Sequence, residues 1–377
     1  MKITVTGLRG IPGIQGGIET HCEELYPRLV KLGCDVTLLR RKPFIRETPP
    51  FTSWKGVKLK DMNAPTRMGV EALVHTLKGV WHAFRTRAEI LHIHAIGPSV
   101  AVPFARLLGL RVVVTHHGPD YNRLKWGPFA RFILRTGERF AAWWADDIIV
   151  ISTVIRDLLR DRYGRTAGVH LIYNGVNRPE PASSTDYIRS LGLTPGKYIL
   201  AVGRFVEEKN FDKLVRACAT MSLPEDCRLA IAGAADHPTP YSDALAKRAT
   251  DSGAVLAGMI KGASLHELYT HARLFVLPSS HEGLPFTLLE AMSYRLDVLV
   301  SDIPAHSAVN LPPDCYFHCG EGDIVPALCK AMEAKLSNPP ATREYDLSPY
   351  DWDTIARQTL DVYSTRSEMA SLEMRNK

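Results

Sequence analysis

The chain has 377 residues, 45% of them hydrophobic and 23% charged, which argues against disorder, allows two cores and exceeds one ordinary domain. No apolar run reaches the length of a membrane-spanning helix, and the seven scattered cysteines, Cys315 and Cys319 included, lack metal-ligand spacing and read as reduced thiols in a cytosolic protein. Charge is uneven: 27 Lys/Arg against 15 Asp/Glu leaves +12 in residues 1–180, while the remainder carries −6, which points the N-terminal half at an anionic partner.

In chain order, strands are predicted at 3–6, 36–39, 90–93, 112–115 and 148–150, and helices at 19–32, 71–85, 98–108 and 129–144. The first strand follows Met1 directly, with no signal-peptide pattern. The segment from Asn174 to Ser184, rich in Pro, Ser and Asn, reads as an interdomain linker. Alternation then restarts, with strands at 199–202, 229–232, 274–277 and 298–301 and helices at 211–220, 242–251, 265–271, 285–294 and 352–363. Apolar, β-branched strands alternating with helices predict an α/β protein of two Rossmann-like, doubly wound parallel-sheet domains facing across a cleft.

Two strand–loop–helix elements of the second half carry the chemistry. In the first, Gly203 ends a strand and Arg204 and Lys209 follow it, two cations at the end of a sheet strand where open α/β sheets bind ligands. In the second, His281-Glu282-Gly283-Leu284-Pro285-Phe286 follows the strand at 274–277, and Glu290 falls in the first turns of the next helix. Amides at a helix start attract phosphate, and a carboxylate on either side accepts hydrogen bonds from hydroxyls. Sugar, diphosphate and ribose together describe a nucleotide sugar. The bland alternative for each acid is a favourable charge beside a helix N-terminus.

In the first half, Gly16 and Gly17 precede a helix at the end of the first strand, where backbone can approach donor phosphates or an acceptor; Glu19 reads as a helix-start acid. The spacing is not Gly-x-Gly-x-x-Gly, which argues against a dinucleotide site and an NAD-dependent oxidoreductase. His94 ends one strand and His117 another, both candidates to meet an acceptor; His92 shares the strand face of His94, and His116 reads as packing. Asp120 and Arg123, beyond His117, are further acceptor candidates. Asp351-Trp352-Asp353 opens the last helix with no strand before it, so it reads as a cap rather than a metal motif. No His/Cys/acid cluster of metal spacing appears, and neither metal nor cofactor is expected. No nucleic-acid motif appears. The segments 73–85 and 125–135 mix cations with aromatics, suited either to an anionic bilayer or to ordinary core-facing helices.

These pieces resemble the retaining glycosyltransferases of family four, which have the GT-B fold: the Glu282/Glu290 pair, Gly203-Arg204 with Lys209, the Gly16-Gly17-Ile18-Glu19 start and the Asn174-Gly175-Val176 connector. The resemblance spans nearly the whole chain. Gly7-Leu8-Arg9-Gly10-Ile11-Pro12, His94-Ala95-Ile96-Gly97-Pro98 and the run from His117 to Gly127 are similar to bacterial rhamnosyltransferase-type enzymes of cell-surface polysaccharide synthesis, with Tyr121 where that subgroup usually has Trp. The resemblance implies an acceptor domain at 1–175, a nucleotide-sugar domain at 183–350 and a helix at 351–377 returning to the first. It implies sugar transfer from a nucleoside diphosphate donor to an acceptor hydroxyl with retention. Arg204 and Lys209 would hold the diphosphate, Glu282 the sugar, Glu290 the ribose, and Ile260 would flank the base. His117 would contact the transferred sugar or the acceptor. The +12 balance, the aromatic–basic segments around Trp81 and Trp126 and the lack of a membrane span lead to the expectation of a cytoplasmic protein docked on the inner face of the membrane with a lipid-linked diphosphate sugar as acceptor; an acidic soluble acceptor would also explain the charge. An epimerase of the same fold and a non-catalytic nucleotide-sugar-binding protein remain as alternatives.

Overall fold

The computed structural model describes residues 1–14, 16–45, 50–65, 70–122, 126–235, 237–320 and 322–375. The chain divides into two compact units, Met1–Gly175 with Pro349–Lys377, and Val176–Ser348.

In the first unit, β1 (Lys2–Thr6), β2 (Asp35–Arg41), β3 (Ser53–Trp54), β4 (Val57–Met62), β5 (Ile90–His94), β6 (Val112–His116), β7 (Asp147–Val150) and β8 (Val169–Leu171) form one sheet. Their order is β3-β4-β2-β1-β5-β6-β7-β8, parallel throughout except for the β3–β4 hairpin. Its helices are α1 (Gly17–Lys31), α2 (Val70–Arg85), α3 (Val102–Leu107), α4 (Pro128–Trp144) and α5 (Thr153–Tyr163). The expected helix at 98–108 is a 3₁₀ turn at Pro98–Ala101 running into α3, because prolines at both starts reset the hydrogen-bonding pattern.

The second unit has β9 (Tyr198–Val202), β10 (Arg228–Ala232), β11 (Val255–Gly258), β12 (Leu274–Leu277), β13 (Val298–Ser301) and β14 (Tyr316–Phe317), all parallel, in the order β11-β10-β9-β12-β13-β14. Its helices are α6 (Asp186–Ser190), α7 (Phe211–Thr220), α8 (Pro240–Asp251), α9 (Ala263–His271), α10 (Phe286–Ser293), α11 (Pro304–Ser307) and α12 (Val325–Leu336). The final helix, α13 (Trp352–Arg375), belongs to the first unit and packs on α1. Asp351 caps it by accepting from the Thr354 amide at 2.8 Å, and Asp353 pairs with Arg28 at 3.0 Å.

Both sheets are covered on their two faces, which is why central strands such as Tyr198–Val202 and Leu274–Leu277 are buried along their whole length and lack polar alternation. Each sheet also reverses its winding once. In the first unit the chain goes from β1 out to β2 and returns to β5 on the other side of β1. In the second it goes from β9 to β10 and β11 and returns to β12 on the other side of β9. The loops leaving β1 and β5, and those leaving β9 and β12, therefore diverge to open a crevice at the carboxyl ends of the strands.

The cation–aromatic segments bury only part of their apolar surface, Val80 and Ala83 of α2 lying in the core. Leu73, Leu77, Trp81 and Phe84 form an exposed stripe along α2, with Trp81 49% exposed. On α4 the outward residues are Phe129 (78% exposed), Phe132, Arg135, Arg139 and Trp143, and α3, between the two helices, adds Phe104 and Leu107. Among the described residues, no helix is long and apolar enough to cross a membrane.

Candidate functional site

At the β9/β12 crevice the backbone after β9 turns at Gly203, where a Cβ would meet the Lys209 stem at 3.3 Å and Phe211 at 3.2 Å. A bare glycine lets the lysine fold back over the strand end. Lys209 closes a 3₁₀ turn, Glu207–Lys209, so it precedes helix α7 rather than lying on it. Asn210, left-handed at φ 52°, donates from its side-chain amide to the Pro278 carbonyl at 2.9 Å, and the Ser280 amide donates to the Glu208 carbonyl at 2.8 Å. These two bonds lock the loop after β9 to the loop after β12.

The result is a contact between residues 73 apart: Lys209 Nζ donates to Glu282 Oε1 at 2.5 Å, with both side chains close to nine-tenths buried. Ser279 Oγ donates to the same oxygen at 2.7 Å. Burial alone would raise the Glu282 carboxyl, but Lys209, His306 and the Ser279 hydroxyl together hold it below its ordinary range. Hydrogen bonds continue behind Ser279, from Ser301 Oγ to the Ser279 carbonyl at 2.5 Å and from buried His306 Nδ1 to the Ser301 carbonyl at 2.8 Å.

Arg204 stands half-buried directly after Gly203. Gly283 and Leu284 make the turn into α10, Pro285 caps it without a side-chain bond, and Phe286 is its first residue. The amides of Phe286 and Thr287 have no acceptor within the helix, whereas the Leu288 amide donates to the Pro285 carbonyl at 3.2 Å. Glu290, one turn further on, accepts from the Tyr269 hydroxyl at 2.8 Å; burial raises its carboxyl to about 7 despite that bond. Ile260 is half-buried just past the end of β11. The cation pair, the two glutamates and the helix start thus come together on the strand-end side of one sheet. Ser279, Tyr269 and His306 were not singled out from the sequence, which holds no signal for contacts made only when β12 and β13 lie side by side.

In the first unit, Gly16 caps α1 and Gly17 begins it, with the Glu19 carboxylate folded back to accept from the Arg9 amide at 3.0 Å. Gly7 (φ 101°) lies so close to β5 that a Cβ would sit 2.2 Å from the His94 carbonyl oxygen. His94 is fully buried, with one ring nitrogen 2.5 Å from the Tyr26 hydroxyl and the other 2.9 Å from His117 Nε2. It therefore backs His117 rather than presenting itself to an acceptor, a correction to the expectation for His94. His117 is half-buried. His116 points inward: its Nδ1 accepts from the Gly118 amide at 3.1 Å and its Nε2 donates to buried Glu138 at 2.9 Å. Glu138 also accepts from Tyr121 and Tyr163, at 3.1 and 2.7 Å, which ties the loop carrying His117 and half-buried Asp120 to α4. Arg123 and Lys125 lie outside the described residues.

Among the described residues, the grouping of acids and thiol spaced closely enough for a cation is Asp297, Asp314 and Cys315. Asp297 precedes β13, at the opposite end from the site, and Lys335 already bridges Asp297 and Asp314 at 2.6 and 2.9 Å.

A doubly wound unit with a cation and a carboxylate at its switch point beside a helix start is where open α/β sheets bind anionic ligands, and similarity to known proteins defines the class as a nucleotide-sugar glycosyltransferase. Residues 15–178 match the family model Glycosyltransferase Family 4, and residues 184–345 match Glycosyl transferases group 1. Between them these matches span most of the chain, and the protein belongs to the glycosyltransferases of family four. It is 26% identical over 401 residues to the alpha-maltose-1-phosphate synthase of Mycolicibacterium smegmatis, covering 96% of this chain and 99% of that one. Its fold is similar to that of sucrose-phosphate synthase from Thermosynechococcus elongatus (TM-score 0.80, 19% identity, 98% of this chain and 99% of that one). It is also similar to that of Anabaena HepE in complex with UDP and glucose (TM-score 0.76, 17% identity, 97% and 100%). The fold is GT-B, two α/β domains with parallel sheets.

Proposed function

We propose that this enzyme moves rhamnose or another hexose from a nucleoside diphosphate sugar to a hydroxyl of a lipid-linked diphosphate glycan, with retention at the anomeric carbon, in bacterial cell-surface polysaccharide synthesis. The observation that carries the reading is the Lys209–Glu282 pair beside the start of α10. The anomeric carbon–oxygen bond to the diphosphate breaks, and a bond to the acceptor oxygen forms on the same face. The departing phosphate oxygen takes the acceptor's proton. Charge develops on the diphosphate, where Arg204, Lys209 and the backbone amides of Gly283, Leu284 and Phe286 stabilise it as it forms. Lys209 moves from Glu282 to the phosphate when the donor binds, leaving the Glu282 carboxylate for sugar hydroxyls. Glu290 takes the ribose, Ile260 flanks the base, and His117 and Asp120 meet the sugar or acceptor.

Two cations already neutralise the leaving group, so transfer proceeds without a metal or other cofactor. The outward aromatics of α2, α3 and α4, the basic balance of residues 1–180 and the nature of the proposed acceptor support a cytoplasmic enzyme resting on the inner, anionic face of the membrane. The similarity to Anabaena HepE, a protein that binds UDP and glucose, supports a nucleotide-sugar donor.

The test is product analysis with a panel of nucleoside diphosphate sugars, with and without a lipid-linked diphosphate sugar, in excess EDTA. The reading expects acceptor-dependent glycoside and free nucleoside diphosphate. An epimerised donor in the acceptor's absence would favour the epimerase, and binding without turnover would favour a non-catalytic role. Loss of activity restored by magnesium or manganese would overturn the metal-free mechanism.

A further inference from the structure

The loop after β12 is held at three consecutive residues. The Pro278 carbonyl accepts from the Asn210 side-chain amide at 2.9 Å, the Ser279 carbonyl accepts from Ser301 Oγ at 2.5 Å, and the Ser280 amide donates to the Glu208 carbonyl at 2.8 Å. Ser301, the last residue of β13, is held in turn, its own carbonyl accepting from His306 Nδ1 at 2.8 Å. Ser279, Ser301 and His306 are fully buried. Segments leaving β9, β12 and β13 therefore fix one side chain between them, the Ser279 hydroxyl, which lies 2.7 Å from Glu282 Oε1.

Every proton in this relay has one possible direction. A carbonyl oxygen and an ionised carboxylate only accept, so His306 Nδ1 and both serine hydroxyls are the donors. Burial brings His306 down to about 4, so its ring is neutral and its single proton is the one on Nδ1. Lys209 and Ser279 both donate to Oε1 of Glu282, while Oε2 accepts from none of the described residues.

The two donors differ in what restrains them. Lys209 carries its ammonium on a flexible four-carbon stem and has the diphosphate as a second partner. Ser279 carries its hydroxyl on backbone that three other segments pin. A nearly buried carboxylate that lost both donors would take up a proton, and would then offer the sugar a donor in place of an acceptor.

We infer that Ser279 is a positioning residue for the transfer: when Lys209 leaves for the diphosphate, the Ser279 hydroxyl keeps Oε1 occupied and the carboxylate oriented, so that Oε2 is the oxygen that accepts from a hydroxyl of the transferred sugar. The inference rests on the donor site proposed above, but the hold of Ser279 on Glu282 in the free enzyme does not.

The test uses the full chain as Ser279→Ala and as Ser279→Cys, which is close to serine in size and keeps only a weak donor. Melting curves check the fold. The titration of Glu282 in the free enzyme is followed by ¹³C NMR of carboxyl-labelled glutamate, with Glu282→Gln assigning the signal. Calorimetry gives nucleoside diphosphate affinity, and kcat at saturating donor is profiled against pH, which reports the bound complex. In Ser279→Ala, Glu282 should titrate at higher pH than in wild type, because a donor to its ionised form is gone. Its kcat should fall about tenfold, the scale of one hydrogen bond to a charged group, and recover in part as pH rises. Nucleoside diphosphate affinity, which depends on Lys209 and not on the sugar contact, should change less than kcat. Ser279→Cys should move each quantity the same way by less, and it carries the decision if the alanine variant does not fold. An unchanged Glu282 titration and kcat would overturn the inference. So would a loss of nucleoside diphosphate affinity as large as the loss of kcat with the Glu282 titration unmoved, which would make Ser279 part of the loop's frame only. If wild type turns over no donor at all, the functional reading fails, while the Glu282 titration still decides whether Ser279 holds its carboxylate.

Discussion

At the β9/β12 switch point a lysine and a carboxylate meet beside a helix start, with Arg204 just past the end of β9, whereas the ends of β5 and β6 hold neutral imidazoles beside a tyrosine hydroxyl, with Glu19 and Arg41 confined to the loop after β1. The same winding places both sets of side chains, yet their electrostatics differ in kind. Lys209 and Glu282 remain charged in a nearly buried setting because each compensates the other. His92, His94 and His117 stay neutral because burial favours the uncharged ring and no carboxylate among the described residues is bonded to them; the carboxylate nearby in the fold, Glu138, is taken by His116. A charged crevice suits a leaving group that gains charge during reaction, and a neutral one suits hydroxyls that must be oriented without being ionised.

The sharpest way to break this contrast is to remove the carboxylate from the charged side. Glu282→Ala is expected to lower kcat by about 100-fold or more, on the scale of losing a transition-state contact. Nucleoside diphosphate affinity should hold or rise, because Lys209 is released to the phosphate. Near-normal turnover at saturating donor would remove Glu282 from the sugar.

Removing the cations should do the reverse. Lys209→Ala and Arg204→Ala are each expected to weaken nucleoside diphosphate binding by about 1.5–3 kcal/mol, the range for a charge-assisted contact. His117→Ala, at the neutral crevice, should leave that affinity nearly unchanged. Titration calorimetry separates these outcomes, and equal affinity in both cation variants would sink the diphosphate assignment.

The two glutamates should also respond to pH with opposite signs. Glu282 is held below its ordinary range, so its stabilising effect is complete at neutral pH and is lost only as pH falls through its lowered folded value. Glu290 is raised from 4.5 to about 7, so its contribution to stability is complete below pH 4.5 and fades as pH rises through about 7. Ribose hydroxyls donate, so they select the ionised Glu290. Nucleotide affinity should therefore increase between about pH 6 and 8 with release of up to about one proton, and Glu290→Gln should flatten that dependence. Calorimetry in buffers of different ionisation enthalpy counts the proton, and a flat wild-type profile would contradict the ribose role.

The smallest expected effects lie on the outward aromatics. Trp81→Ala and Phe129→Ala should each weaken co-sedimentation with anionic vesicles several-fold at low salt, since burying one large side chain in the interface is worth on the order of 1–2 kcal/mol. Equal wild-type binding to neutral and anionic vesicles, or none to either, would remove the membrane surface from the proposal.

The sequence alone determined the alternation of strands and helices, because apolar, β-branched strands covered on both faces leave continuous runs that a local window detects. Helix α7 at Phe211–Thr220 and strand β12 at Leu274–Leu277 were legible to the residue. The short hairpin β3–β4, the edge strands β8, β11 and β14, and helices α5 and α12 were not read, being brief, partly exposed or mixed in pattern. The glutamate pair and the Gly203-Arg204…Lys209 element were also legible, because each sits where a strand visibly gives way to a helix. Tertiary structure alone decided who meets whom: Lys209 reaches Glu282 because β9 and β12 are sheet neighbours, and His94 turns inward because Tyr26 and His117 occupy its two nitrogens. It also decided that the aromatics of α2 and α4 face outward, since a helix pattern reports that an apolar stripe exists and not which surface covers it.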